Sequence, residues 1–424
     1  MAMLIRNVRI VNAKASVQGD ILIDGGKFVM VGGHIPPQEG WQIVDGTGRY
    51  ALPGLVDIHV HLRDPGQTHK EDIATGCDAA KAGGVTSLFC MPNTVPTADS
   101  PDVITYIREK AAATGVKVYP VAAITHGIAG DGCCDYATLQ KAGAAALSDD
   151  GRPVEHDEML LTALREGSRL GLPVTCHCED LTQAAGGKVH ESVAQSLGVK
   201  GISSASEYDD VARTIRLAEQ AEAPVHICHV STKESIDLIR RAKARGVRVT
   251  CETAPHYCVY TCEKVLSRDA DYRMNPPLRE EADRLAVMEG LLDGTIDAIA
   301  TDHAPHTPAE KVDFAGAPNG VIGMETSLAA VFTFLSGTLS PEAIVALTST
   351  NPARIMHIEG GEIKEGAAAD LVLFDPAEAW IVDPERLHGK SRNAVFKGET
   401  LVGKVKATYC NGQLVFADED EEKK

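Results

Sequence analysis

Between residues 54 and 306 one unit recurs eight times: a short apolar run, a polar or charged tip, then a stretch with helical spacing. The runs are "GLVDIHVHLRDP", "GVTSLFCMPN", "VKVYPVAAITHG", "AAALSDDG", "LPVTCHCED", "APVHICHV", "VRVTCETAPH" and "IDAIATDHAPH". Their length and β-branched content read as buried strands. Pieces between them, such as "DDVARTIRLAEQA" and "TKESIDLIRRAKARG", carry helical periodicity, and the second reaches Gly246, a good helix stop. Strictly alternating strands and helices predict an α/β chain folded as a closed (β/α)8 TIM-type barrel, with its working face at the C-terminal ends of the strands.

The two chain ends differ from this middle. "MLIRNVRIVN", "DILIDGGKFVMVGG" and "WQIVDGTG" at the start are matched by "ADLVLFD", "AVFKGETLVG" and "KATYCNGQLVFAD" at the far end. They read as short strands with glycine turns, and Asn411-Gly412 is a two-residue hairpin signal. The expected organisation is a small β-sandwich module built from residues 1–51 and 358–424 around a barrel spanning 52–357. A chain of 424 residues with 44% hydrophobic content is large enough for both.

The tips carry the chemistry. On the first run Asp57, His59, His61 and Arg63 fall on alternate positions and so share one face. A polar face on a buried strand is unfavourable unless something binds there. Later tips add Asp150, His177, His229 and Asp302. Barrel closure would bring His59, His61, Asp150, His177, His229 and Asp302 to one mouth. Imidazole and carboxylate suit Zn2+ or a similar divalent ion. Six such groups exceed the needs of one tetrahedral ion and favour two metals about 3.5–4 Å apart, bridged by a carboxylate and a water-derived hydroxide. Any one tip alone reads as an ordinary turn or a packed side chain; their common position at strand ends carries the inference. Strand alternation turns Cys176, Cys178 and Cys228 to the opposite face, as small core residues. Cys133-Cys134 lacks a second metal-spaced pair. "GTGRYA" at 46–51 imitates a dinucleotide fingerprint, but "LPG" follows where a helix should begin. Neither a Gly-X-Ser-X-Gly elbow nor a P-loop is present, which counts against serine-hydrolase and P-loop chemistry.

A formal charge of -18 argues against nucleic acid as a partner, while leaving a locally positive site for a small anion open. No apolar run reaches membrane-spanning length, and "MAMLIRNVRIVN" lacks the layout of a secretory signal. Eleven cysteines without such a signal point to free thiols in the cytoplasm. The tail "ADEDEEKK" reads as a solvated, frayed end.

The segments "DIHVHLRDPG", "MPNT", "SDDG", "HCED", "HICHVST", "ETAPHY", "MNPPLR", "TDHAPHT" and "PNGVIGMET" resemble, in order and spacing, the long type I dihydroorotases of the amidohydrolase superfamily. The resemblance runs nearly end to end. It implies reversible closure of N-carbamoyl-L-aspartate to L-dihydroorotate and water, a step of pyrimidine (UMP) synthesis. It makes His59, His61 and Asp302 ligands of one metal and His177 and His229 ligands of the other, with Asp150 bridging. Asp302 would also be the catalytic proton carrier, moving a proton between the attacking water and the departing nitrogen. Arg63, Asn93 and His306 would hold the substrate carboxylate, with His61 beside them and Asn275 and the Asn319-Gly320 backbone along the ring. Many relatives have Phe-Gly where this chain has Asn-Gly. Many binuclear superfamily members bridge their metals with a carbamylated lysine at strand four; here no lysine occurs between Lys141 and Lys188, so Asp150 must serve.

Two rival readings are a hydantoin or allantoin hydrolase, which usually carries that lysine and lacks the Arg63–Asn93 clamp, and a non-catalytic scaffold, which would have lost metal ligands. Aspartate carbamoyltransferase is a partner the resemblance implies, and a homodimer is the expected assembly. The segment "HAPHTPAEKVDFAGAPNG" after the eighth strand has the length and small residues of a lid, with a static loop as the alternative.

Overall fold

The computed structural model describes residues 2–418, and within it all eight runs form parallel strands. They are β1 (Leu55–Val60), β2 (Val85–Cys90), β3 (Lys117–Ala122), β4 (Ala146–Leu147), β5 (Thr175–Cys176), β6 (Val225–Ile227), β7 (Val249–Thr253) and β8 (Ala298–Ile299). The ladder runs unbroken within each half, β1 to β4 and β5 to β8. Two narrow seams close the ring: Leu147 bridges Val174 between β4 and β5, and Val60 bridges His303 between β8 and β1. Single backbone bonds mark them, Leu147 N to Pro173 O at 2.9 Å and His61 N to His303 O at 2.8 Å. The expected (β/α)8 barrel is the observed architecture.

Helices cover the outside for the reason their spacing gave. Ala205–Ala221 buries Val211, Ile215, Leu217 and Ala218 on one face, and full burial of each large aliphatic contributes about 1.5–3 kcal/mol. Lys233–Ala244 starts at Thr232, whose side chain accepts from Ser235 N. It stops before Gly246, whose φ of 85° no L-residue adopts easily.

Strands from both chain ends pair in one eight-stranded sheet. Leu371–Ile381 joins them by running antiparallel to Tyr50–Pro53. Ile5, Ile10, Ile21, Phe28, Leu371 and Leu373 form its core. Asn411 and Gly412 have φ of 48° and 73°, the left-handed pair that a tight hairpin needs. One expectation needs correction: "AVFKGETLVG" is a strand only from Thr400 onward. Its first half turns at Gly398 (φ 77°), with Lys397 N bonded to Ala394 O and Glu399 N to Phe396 O. The tail is also ordered further than expected: Ala417 ends the last strand, and Asp418 pairs with Lys404 and Lys406. The remainder of the acidic tail, 419–424, lies outside the described residues. All eleven cysteines are free thiols. Among the described residues no helix is long and apolar enough to cross a membrane.

Candidate metal centre

Chain reversal just past the strands aims the polar tips inward. Arg63, His229 and Asp302 have φ of 60°, 35° and 46°, all left-handed although none is glycine. Such backbone costs about 1–3 kcal/mol per residue and survives where the surroundings hold it. It also overturns the expectation for Cys228. Because β6 stops at Ile227 and the chain turns at His229, strand alternation no longer applies, and the Cys228 sulfur lies within 4.8 Å of ligand atoms of His59 and Asp150. Burial pushes its thiol up to about 12, so it faces the centre as a neutral group. Cys176 and Cys178 do sit in the apolar core, as expected.

The six expected ligands converge. His59 Nε2 is 3.1 Å from Asp150 Oδ1 and 3.7 Å from Asp302 Oδ1. His61 Nε2 is 3.3 Å from Asp150 Oδ2 and 3.2 Å from Asp302 Oδ1. His229 Nε2 lies 3.0 Å from His177 Nδ1 and 3.7 Å from Asp150 Oδ1. Each side chain is buried. Three groups of them can hold a metal ion: His59, His61 and Asp302; Asp150, His177 and His229; and His59 with Asp150 and Cys228.

The groups behind the imidazoles decide which nitrogen faces inward. His59 Nδ1 is 2.8 Å from Glu252 Oε1, His61 Nδ1 2.8 Å from Asn93 Oδ1, and His177 Nε2 3.2 Å from Glu179 Oε2. With the outer nitrogen donating, a neutral ring turns a lone pair toward the centre, the tautomer a metal ligand requires. His59 Nε2 and Asp150 Oδ1 are buried without a hydrogen-bond partner despite lying 3.1 Å apart. A shared cation would satisfy both, so the residues fit a metal.

Charge balance follows. Burial opposes ionisation of Asp302, yet positive charge beside it, on the His61 and His59 imidazoles when they carry inward protons, holds its carboxyl at about 2; a metal would supply that charge when the rings are neutral. Burial also opposes the charge on Glu252, and its bonds from His226 and His59 bring it to about 2. Glu252 and Glu179 were missed in the sequence, although each stands among the quoted tips "CETAPH" and "HCED".

Beside the imidazoles lies a basic recess. Arg63 is 8% exposed, donates Nε to Pro305 O at 3.2 Å, and pairs with no carboxylate among the described residues. Lys70 donates to His306 Nδ1 at 3.3 Å, so His306 Nε2 carries the proton that goes to Asn319 O at 2.9 Å. Gly320 has φ of 138°, and a Cβ there would meet Ala304 O at 2.7 Å and His306 Cδ2 at 3.0 Å. Asn275 Nδ2 donates to Glu179 Oε1 at 3.2 Å, which joins it to His177. Arg273 and Lys311 fasten the loop after β8: Arg273 bonds Phe314 O and Asn319 Oδ1, and Lys311 bonds the carbonyls of Ala270, Arg273 and Pro318.

Comparison with known proteins agrees with this chemistry. Residues 48–235 match the family described as "Dihydro-orotase-like", and residues 151–416 match "Amidohydrolase family". The dihydroorotase of Citrifermentans bemidjiense is 45% identical over 422 residues, covering 98% of this chain and 100% of that protein. The dihydroorotase of Pelotomaculum thermopropionicum is 45% identical over 424 residues, with 99% of each chain covered. Among solved structures, a dihydropyrimidinase from Brevibacillus agri superposes with a TM-score of 0.87 at 27% identity, covering 99% of this chain and 96% of that one.

Proposed function

Because the chain belongs to the dihydroorotases of the amidohydrolase family, we propose that it interconverts N-carbamoyl-L-aspartate and L-dihydroorotate at this centre, using zinc. The observation that carries the reading is the arrangement behind the metal-facing rings: three of four imidazoles have their outer nitrogen on an acceptor, leaving lone pairs turned inward. His59, His61 and Asp302 would hold one ion, His177 and His229 a second, and Asp150 would bridge. When bound, the metal supplies Lewis acidity and a water acidified toward neutrality.

The chain's residues do the rest. Asp302 takes the proton from the attacking water and gives it to the ring nitrogen as the amide opens; ring closure reverses the path. Arg63 receives the substrate carboxylate, because its buried guanidinium makes no direct ion pair with a carboxylate among the described residues and its planar fork matches two oxygens. His61, Asn93 and His306 flank that carboxylate. Asn275, Asn319 and Gly320 line the ring. Placement in pyrimidine synthesis, in the cytoplasm, as a homodimer and beside aspartate carbamoyltransferase follows the family resemblance; light scattering with and without that enzyme tests the assembly.

Elemental analysis of the purified chain, paired with hydrolysis assays on dihydroorotate and dihydrouracil, tests the reaction. Zinc near two per chain and activity confined to the carboxylated ring is the expected result. Preference for dihydrouracil would overturn the Arg63 assignment and favour a cyclic-ureide hydrolase.

A further inference from the structure

At the opposite end of the barrel, beneath β5, β6 and β7, lies a cavity of about 500 Å³. Its lining has two chemistries. Pro173, Val174, Pro224, Val225, Val249 and Ile355 give an apolar floor, and Arg248, Arg354, His226 and His357 give positive or hydrogen-bonding groups. No carboxylate lines it. In a chain whose net charge is -18, an acid-free recess holding two arginines is a place where a small anion is attracted rather than repelled. Arg248 leans on Glu222 O, and Arg354 has no side-chain partner among the described residues. The volume is that of a small-molecule site, and an apolar floor beside guanidinium groups suits a ligand that is both flat and phosphorylated.

The cavity is wired to the metal centre. Thr250, which also lines it, has its hydroxyl 2.9 Å from His226 Nδ1. His226 Nε2 is 3.3 Å from Glu252 Oε2, and Glu252 Oε1 is 2.8 Å from His59 Nδ1. Directions follow from the carboxylate. Glu252 accepts from both rings, so His226 Nδ1 is an acceptor and Thr250 donates to it. An anion in the cavity that draws the Thr250 hydroxyl to itself takes that donor away from His226, and the change passes through Glu252 to His59.

We propose that this cavity binds a phosphorylated small molecule of nucleotide size, and that the Thr250–His226–Glu252 chain reports its occupancy to His59. The binding half is independent of the reading of the centre; the relay half rests on a metal at His59. The test uses the zinc-loaded full-length chain and calorimetric titration with inorganic phosphate, adenosine monophosphate and uridine monophosphate. At least one nucleotide should bind more tightly than phosphate, and Arg354→Ala and Arg248→Ala should each weaken it about tenfold. Nucleotide should also change the rate of zinc loss to a chelator in the parent chain but not in Thr250→Val. Absence of binding, or equal binding by the double arginine variant, overturns the site. Binding that leaves zinc loss unaltered, or alters it equally in Thr250→Val, overturns the relay.

Discussion

Asp302 reaches His61 Nε2 at 3.2 Å and His59 Nε2 at 3.7 Å from a backbone held at φ 46°, so its position is set by strain that little else would justify. Asn in its place keeps the shape but has no carboxylate to accept a proton and pass it on. Asp302→Asn should therefore lower kcat for dihydroorotate hydrolysis by about a thousandfold or more, in line with general acid–base contributions. Near-parent turnover would remove Asp302 from proton transfer. Glu252 makes a different contribution. Its two oxygens each accept from an imidazole, whereas Gln offers one acceptor and one donor, so Glu252→Gln leaves His59 or His226 facing an N–H. Zinc affinity should fall about 10–100-fold, as for other losses behind metal-binding histidines, with kcat at saturating zinc close to the parent's. Competition with a chelating dye measures it, and an unchanged affinity would show that packing alone orients His59.

Elements hold these residues through their ends. Glu207, on the helix Ala205–Ala221, accepts from Ser231 N at 3.1 Å and Thr232 N at 2.9 Å, and faces Arg279 at 3.4 Å. It thereby fixes the segment that follows His229. Glu207→Ala leaves Arg279 buried without its counter-charge, and breaking such a pair costs about 3–5 kcal/mol. Urea unfolding should show that loss, and a change below 1 kcal/mol would mean water replaces the carboxylate. In the loop after β8, Gly320→Ala would force a Cβ against Ala304 O and His306. KM for dihydroorotate should rise about tenfold, with zinc content unchanged. All eight barrel strands and the convergence of six candidate side chains were legible, because apolar runs and tips recur in phase with the fold. Strand ends were not. β4, β5 and β8 have two residues each, since the chain leaves the ladder as soon as a tip turns inward. Alternation says nothing about such turns, and that is why Cys228 was placed on the wrong face. Glu252 escaped notice because its partner, His59, is 193 residues away.

On the scale of the whole molecule, the barrel is two four-stranded halves joined by narrow seams, and the candidate ligands straddle both. His59 lies in β1 and His61 just past it, while Asp302 follows β8; Asp150 follows β4 while His177 follows β5. A metal held by the first group would stitch one seam, and a metal held by the second would stitch the other. Without metal, His59 Nε2 and Asp150 Oδ1 would stay buried and unpartnered, so the centre would keep a desolvation penalty while each seam loses its cross-link. Binding to the native state alone stabilises by about 4 kcal/mol at a thousandfold excess over Kd. Dialysis against a chelator should lower Tm by several degrees, and zinc should restore it. Hydrogen exchange gives the sharper result: His61 N and Leu147 N, the seam donors, should lose protection on metal removal, while Leu88 N and Ile227 N within the halves should not. If all four amides respond equally, the metal stabilises the barrel as one unit and the seams carry no special share. If only His61 responds, a single ion, on the β1–β8 side, accounts for the centre.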